Sequence, residues 1–216
     1  MQKLMQTTAL LGVLVGLTLS PALGLAGELV VDDGPVFVPE SVVPTTPTTT
    51  TTTTATAAAA AAAAAPYNAA EPTDQVIIDF NGAIAFCGAI GSEEYVIDCL
   101  SERLGVIAAK LPETGEFAEM RTAIADASAQ LGALAAQNQS DTLASGVARS
   151  ADTVTTRPLR PVATETLAAS LQAADAIVAQ TQIVLLRSSS NSQNRSLDFQ
   201  RVAAVVGTSR SLLRSA

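Results

Sequence analysis

The chain has 216 residues, of which 48% are hydrophobic, so it is long enough to bury one core. Aromatic residues make up only 3% and tryptophan is absent, which predicts a thin core whose elements approach closely. Histidine is absent too, which excludes Ser-His-Asp and Cys-His nucleophiles and every metal site with a histidine ligand. Twelve basic and 20 acidic residues give a net charge of −8, which argues against a general nucleic-acid-binding protein.

The N-terminal residues 1–26 have the pattern of a secretory signal peptide. Lys3 precedes an apolar run from Ala9 to Leu19, and a small-x-small exit ends at Ala26. We therefore predict cleavage after Ala26 and an exported protein, whether periplasmic, cell-envelope or secreted. The alternative is a membrane anchor that stays uncleaved, because the run to Leu25 is nearly long enough to span a bilayer. No later segment is expected to be long and apolar enough to span one.

A linker rich in proline, threonine and alanine is predicted over residues 27–73. It contains the unbroken runs Thr48–Thr54 and Ala57–Ala65, and polar low-complexity sequence buries too little surface to offset chain entropy. We expect this linker to be disordered and dispensable for folding, although Val36–Val38 could add a strand. It is either a spacer that holds the domain away from a surface or a repeat expansion without a selected role.

From residue 74 to 216 the sequence predicts an all-α domain, an antiparallel bundle of about four to six helices. Mostly apolar residues recur at steps of three and four, a heptad seam, in three of the predicted helices. The seams are Phe117, Met120, Ile124, Ala127, Leu131 and Leu134; Leu167, Leu171, Ala174, Val178, Thr181 and Leu185; and Phe199, Val202, Val206, Ser209 and Leu213. Capping side chains predict the helix starts. These caps are Thr73, Ser92, Thr114, Thr164 and Ser196. We also predict a short helix over 141–149, an extended connection over 156–162 and a loop over 188–194.

Two cysteines, Cys87 and Cys99, stand at the end of the first predicted helix and early in the second. An exported chain with two cysteines favours one structural disulfide between them. The alternative is a redox-active dithiol, which usually has Cys-X-X-Cys spacing and a lowered thiol pKa. That spacing is absent, so the structural bond is preferred.

Three carboxylates, Glu94, Asp98 and Glu102, follow one another at four-residue steps on the second helix. Such a ridge can bind calcium or act in acid–base catalysis, but calcium needs oxygens that converge from several directions. We interpret the ridge as a solvated face. Phosphate-binding glycine loops and nucleophile elbows are absent from the sequence. We therefore predict no catalytic, cofactor-binding or metal-binding residue, and no cofactor.

Charge is divided unevenly along the predicted bundle. Residues 75–141 contain 10 acids and 3 bases, a net charge of −7, whereas residues 142–216 contain 4 acids and 8 bases, a net charge of +4. Either the basic half faces an anionic partner, or neighbouring helices compensate each other, which we prefer. On the last helix, Arg201, Arg210 and Arg214 lie opposite the apolar seam. That helix can contact an anionic membrane weakly, but its apolar face is expected to pack in the bundle.

These patterns predict an exported, non-enzymatic protein of the cell envelope or periplasm. Its bundle is expected to serve interaction or scaffolding, through a protein partner or self-association, without nucleic acid. Contact with a membrane is expected only through an uncleaved signal segment or weakly through the last helix. The alternative is a carrier of a small apolar ligand or a stress-response bundle, and an enzyme that uses carboxylates alone is the least supported.

Overall fold

The computed structural model of the chain describes residues 36–39, 65–68, 71–191 and 195–216. These residues belong to one compact unit that begins at Asp33. The predicted signal peptide and its cleavage site after Ala26 lie outside the described residues. So do the threonine run and all of the alanine run before Ala65.

The described chain is mostly helical, which confirms the all-α prediction. Five α-helices and one short 3-10 turn, Glu93–Tyr95, account for most of it. The helices are α1 (Thr73–Gly88), α2 (Val96–Lys110), α3 (Ala118–Gln137), α4 (Thr164–Asn191) and α5 (Ser196–Ser215). The strands are β1 (Val36–Pro39) and β2 (Gly146–Arg149).

Each helix from α1 to α4 packs on the next one along the chain, and α5 packs back on α1. The five helices thus close around one main core. Antiparallel packing follows from the contacts between α2 and α3, where Ser101 approaches Gly132 while Gly105 approaches Ser128. The α4–α5 pair is antiparallel for the same reason, because Gln182 approaches Gly207 and Asp175 meets Arg210.

The predicted heptad seams of the last two helices are buried as expected. In α4, all six seam residues are buried: Leu167, Leu171, Ala174, Val178, Thr181 and Leu185. In α5, the same is true of Phe199, Val202, Val206, Ser209 and Leu213. The seam of α3 is buried from Phe117 to Leu131 and half-buried at Leu134. Spacing of three and four therefore identified the core-facing stripes correctly.

The side-chain caps predicted at Thr73, Ser92, Thr114 and Ser196 do not form. The N-cap of α1 is Pro72 rather than Thr73, and that of α5 is Arg195. Neither cap makes a side-chain hydrogen bond. Ser92 donates instead to the Glu94 carboxylate at 2.6 Å. The third helix begins at Ala118 and not at the predicted cap Thr114, because Gly115 has a φ of 84° that no helix contains.

The predicted short helix over 141–149 is wrong. Gly146–Arg149 is instead strand β2, which pairs antiparallel with β1, and Gly146 also exchanges backbone hydrogen bonds with Leu159. Both partners are distant in sequence, so local periodicity carried no signal for this strand. The loop predicted over 188–194 was placed to begin too early in the chain, because α4 continues through Asn191.

Two pieces of the predicted linker contact the bundle. The first is β1 on β2. The second is Tyr67, whose buried hydroxyl donates to Asp79 at 2.7 Å while its backbone N–H donates to the Lys110 carbonyl at 3.0 Å. Burial, followed by the hydrogen bond to Asp79, raises the pKa of Tyr67. Deleting residues 27–73 would therefore remove both a strand and a buried aromatic side chain.

Candidate functional site

The most strongly polar site of the described residues is centred on Asp98, in the first turn of α2. Its carboxylate is fully buried and accepts hydrogen bonds from two arginines of the segment before α4. Arg157 donates through Nη1 and through Nη2, the latter at 3.0 Å, and Arg160 donates through Nη2 at 2.9 Å and its backbone N–H at 2.8 Å. We call Asp98, Arg157 and Arg160 the Asp98 cluster.

Burial and hydrogen bonding act in opposite directions on Asp98. Burial raises the pKa of this carboxyl, but the hydrogen bonds from Arg157 and Arg160 outweigh it and hold the pKa below its ordinary value. The carboxylate is thus ionised at neutral pH, and its charge is neutralised by guanidinium groups rather than by water.

One turn further along α2, Glu102 is also buried and saturated with hydrogen bonds. Thr156 donates to its Oε1 through the backbone N–H at 2.8 Å and the hydroxyl at 2.7 Å. Arg103 donates to both carboxylate oxygens. The guanidinium of Arg103 also lies 5.5 Å from the Phe86 ring centre, at cation–π distance.

The interpretation of Glu94, Asp98 and Glu102 as a solvated face is therefore wrong. Asp98 and Glu102 are buried, and Glu94 is half-buried. The physical reason is that residues 156–160 fold over this face of α2 and supply the donors the carboxylates need. No group of three metal-ligating side chains occurs among the described residues. The two arginines between Thr156 and Pro161 were the missed signal, since paired guanidiniums often match a buried carboxylate.

A groove runs over the crossing of α2 and α3 beside the Asp98 cluster. At the crossing, Ser101 Oγ donates to the Ser128 carbonyl at 2.9 Å, and Ser128 Oγ donates to the Ser101 carbonyl at 2.7 Å. A Cβ on Gly132 would lie 2.8 Å from Ser101 Oγ, and one on Gly105 would lie 3.0 Å from Ser128 Oγ. Glycine at both places thus lets the two helices approach closely.

The groove has a volume of about 620 Å³. Its walls are mostly small apolar residues of α2 and α3, including Val106, Ala129 and Ala133, and its rim is formed by Arg157 and Arg160. It is open to solvent along its length, unlike an enclosed bundle cavity.

The predicted pair Cys87 and Cys99 lies at disulfide bonding distance, with the Cα atoms 5.8 Å apart. Both cysteines are fully buried in a small second core, where β2 contributes Ala148 and the following segment contributes Leu159. The bond joins the end of α1 to the first turn of α2, directly beside Asp98. The predicted pairing is confirmed by this distance, and the structural role of the bond stays a prediction.

The three predicted arginines of α5 are all engaged in ion pairs. Arg210 donates to Asp175 through two nitrogens at 2.9 Å, Arg214 joins the same carboxylate, and Arg201 meets Asp74 at 2.6 Å. The hydrogen bond from Arg210, followed by that from Arg214, lowers the pKa of Asp175 to about 2. We call Asp175, Arg210 and Arg214 the Asp175 cluster.

Helix α4 presents a second, mostly apolar stripe on the side away from its buried seam. We call it the α4 outer face, and its residues again step by three and four. They are Ala169, Gln172, Ala176, Ala179, Ile183 and Leu186. Ile183 is 42% exposed and Leu186 is 44% exposed.

The composition of α4 bears on the expectation that no segment after the signal peptide could span a membrane. Thr164–Ser190, at 27 residues and with a mean hydropathy of 1.2, is long and apolar enough to cross a membrane. The expectation that no such segment follows the signal peptide is therefore wrong. Core helices of soluble proteins have the same composition, and the buried seam of α4 is of that kind.

No protein-family model matches this chain, and no curated protein or solved structure is significantly similar to it.

Proposed function

We propose that this protein is an exported, non-enzymatic interaction or scaffolding module of the cell envelope, and that its contact surface is the α4 outer face. The observation that carries the proposal is the pair of exposed side chains Ile183 and Leu186 on a heptad-spaced stripe. Heptad spacing favours packing against another helix, and this stripe is not covered by any described helix.

The charge on α4 points to a second copy of this chain as the partner. Between Thr166 and Leu186 the only charged residue of α4 is Asp175, which pairs with Arg210 and Arg214 and is not part of the α4 outer face. Two copies of a stripe without charged residues can meet without like-charge repulsion, which favours a symmetric contact.

The non-enzymatic part of the proposal is supported by the two buried carboxylates. Asp98 and Glu102 converge on one face of α2, but both are saturated by hydrogen bonds from Arg157, Arg160, Arg103 and Thr156. A carboxylate held in this way is poorly placed to take or give a proton.

Sedimentation measurements at increasing concentration test the contact surface. We expect the full chain to form dimers and the variant Ile183→Glu/Leu186→Glu to stay monomeric. The matched control is Ile78→Glu/Leu197→Glu, because these residues are 60% and 71% exposed but isolated on α1 and α5. The control should dimerise like the unaltered chain. A chain that stays monomeric at every soluble concentration would contradict the proposal.

A membrane is the competing occupant of the α4 outer face. Flotation with phosphatidylcholine–phosphatidylglycerol vesicles distinguishes a membrane contact from a contact with a second copy of the chain. Binding to vesicles that Ile183→Glu/Leu186→Glu abolishes, without dimerisation in solution, would replace the protein contact by a membrane contact. Export itself is tested by intact mass, since the mature chain is expected to begin at Gly27.

The second candidate function is a carrier of a small apolar ligand, and the α2–α3 groove favours it. Its volume of about 620 Å³ lies within the range of small-molecule sites. Its lining, mostly apolar with a few convergent polar groups, is also typical of such sites.

A further inference from the structure

We propose that the α2–α3 groove binds a small amphiphile with a single anionic group, and that Arg157 and Arg160 hold the anion while the alanine-rich walls hold the apolar part. This inference rests on the carrier function proposed above as the second candidate.

The walls favour a slim apolar body. They consist mainly of alanines, glycines and one valine, with Ser101 and Ser128 at the crossing of two helices that approach closely, so the walls of α2 and α3 offer few bulky side chains to displace. Its apolar lining comprises Gly105, Val106, Ala109, Ala129, Ala133 and Ala136. Covering these residues removes apolar surface from water without any rearrangement of the core.

The charge balance at the rim favours one negative charge on the ligand. Arg157 and Arg160 carry two positive charges, and buried Asp98 compensates only one of them. The neighbouring pair of Glu102 and Arg103 is neutral in itself. Among the described ion pairs of the rim, one positive charge thus remains uncompensated.

The hydrogen-bonding pattern gives the anion a place to bind. Arg160 donates through Nη2 to Asp98 and to the Gly132 carbonyl, whereas its Nε and Nη1 have no acceptor among the described residues. The Arg160 side chain is 32% exposed and lines the groove, so a ligand there can contact it. Arg157, with a side chain 36% exposed, likewise has an unused Nε. Because guanidinium donors match carboxylate and sulfonate oxygens, an anionic headgroup fits this position.

Glu102 does not repel such a ligand strongly. Although it lines the groove, its side chain is 2% exposed and both oxygens accept hydrogen bonds from Arg103. The Thr156 hydroxyl donates to Glu102 as well, so the exposed donors at the rim are those of the two arginines.

The test uses a matched pair of fluorescent probes on the folded full chain. The probes are 1-anilinonaphthalene-8-sulfonate and neutral N-phenyl-1-naphthylamine, which share the same apolar body. We expect the sulfonate to bind about tenfold tighter, as expected for hydrogen bonds to a charged group. Decanoate should displace it more strongly than decanol does.

Three variants assign the site and the charge. Ala133→Phe fills the groove from an exposed position and should abolish binding of both probes, whereas Ala204→Phe, equally exposed on α5, should leave binding unchanged. Arg157→Gln should reduce the affinity for the sulfonate to that for the neutral probe, since Arg160 then only balances Asp98. Asp98→Asn should raise the affinity for the sulfonate but not for the neutral probe, because a partly unfolded state exposes apolar surface that binds both. A cooperative thermal melt of each variant confirms that its native packing is retained.

Two different failures are distinguishable. If both probes bind equally, and Arg157→Gln and Asp98→Asn change neither affinity, the anionic headgroup is wrong while the carrier function stands. If neither probe binds, or Ala133→Phe leaves binding unchanged, the groove is not a ligand site and the carrier function fails with it.

Discussion

The bundle contains two clusters of the same composition, one aspartate with two arginines, in opposite surroundings. In the Asp98 cluster the carboxylate is fully buried and joins α2 to the segment before α4. In the Asp175 cluster the carboxylate is 20% exposed and joins α4 to α5 along their outer surface. In both clusters the arginines lower the aspartate pKa against the effect of burial, but burial is the largest single influence only at Asp98, whereas the hydrogen bond from Arg210 is the largest at Asp175.

The difference teaches that burial, and not the identity of the partners, decides how much such a cluster matters for stability. A buried carboxylate without its arginines would be an uncompensated charge in the core, whereas an exposed one would be solvated by water. The Asp98 cluster therefore adds a polar link that tolerates little change to the apolar packing of α2, while the α4–α5 pair is held mainly by its apolar seam.

The largest effect is expected from removing each aspartate in turn. Asp98→Ala leaves two guanidiniums next to a buried cavity and should lower the free energy of unfolding by about 3–5 kcal/mol. Asp175→Ala, the matched control, should cost at most about 1 kcal/mol. Urea unfolding monitored by circular dichroism measures both. Equal losses for the two variants would break the comparison.

Reduction of the disulfide should have the next largest effect, and it acts on the Asp98 side. Cys87 and Cys99 close a short loop, since they are 12 residues apart. Cutting that link should cost roughly 2–3 kcal/mol by releasing the unfolded chain. We expect the melting temperature to fall by about 5–10 °C with little change in helix content.

Cys99→Ser should reproduce the reduced protein, and thiol titration supplies the decisive control. Because Cys99 follows Asp98, we expect the effects of reduction and Asp98→Ala to be non-additive, while those of reduction and Asp175→Ala should add. Two reactive thiols in the native, exported protein would contradict the structural role of the bond.

A smaller effect should distinguish the close approach of α2 to α3 from that of α4 to α5. A Cβ on Gly132 would lie 2.8 Å from Ser101 Oγ, a buried hydroxyl already engaged with α3. A Cβ on Gly207 would lie 2.7 Å from Gln182 Nε2, the terminal amide of a long side chain with several rotatable bonds. Gly132→Ala should therefore cost about 1–3 kcal/mol by overpacking, whereas Gly207→Ala should be close to neutral. A loss at Gly207 as large as that at Gly132 would show that Gln182 is held rigidly.

The smallest effect concerns acid and salt at the surface cluster. The folded pKa of Asp175 is about 2, below the ordinary value near 3.9. Because the folded pKa is lowered, the ionised Asp175 stabilises the fold at pH values above the unfolded pKa. This contribution to the free energy of unfolding is lost as the pH falls from about 4 to about 2. Asp175→Asn should reduce this acid-dependent loss slightly, and sodium chloride should reduce it too, because the pair is partly exposed. The acid-dependent loss due to Asp98 has the same sign but should resist salt. Equal salt sensitivity of the two would contradict the difference in burial.

Sequence reasoning located the helices because their apolar residues repeat. Val178 and Leu185 in α4, or Val202 and Val206 in α5, fall on a stripe that can only be buried against another helix. Helix starts were predicted less well, since Thr114 offered a good cap but Gly115 takes a backbone conformation that delays α3 to Ala118.

What the sequence by itself determined is the all-α class, the core-facing stripes and the pairing of Cys87 with Cys99, since each depends on local spacing or on there being only two cysteines. Only the tertiary structure decided the environment of the carboxylates. Asp98 and Glu102 look like a solvated ridge until Thr156, Arg157 and Arg160, more than fifty residues later, fold over them. The same holds for strand β2, whose partner β1 lies far upstream. Burial and charge pairing depend on contacts between distant segments, and no periodicity within either segment encodes them.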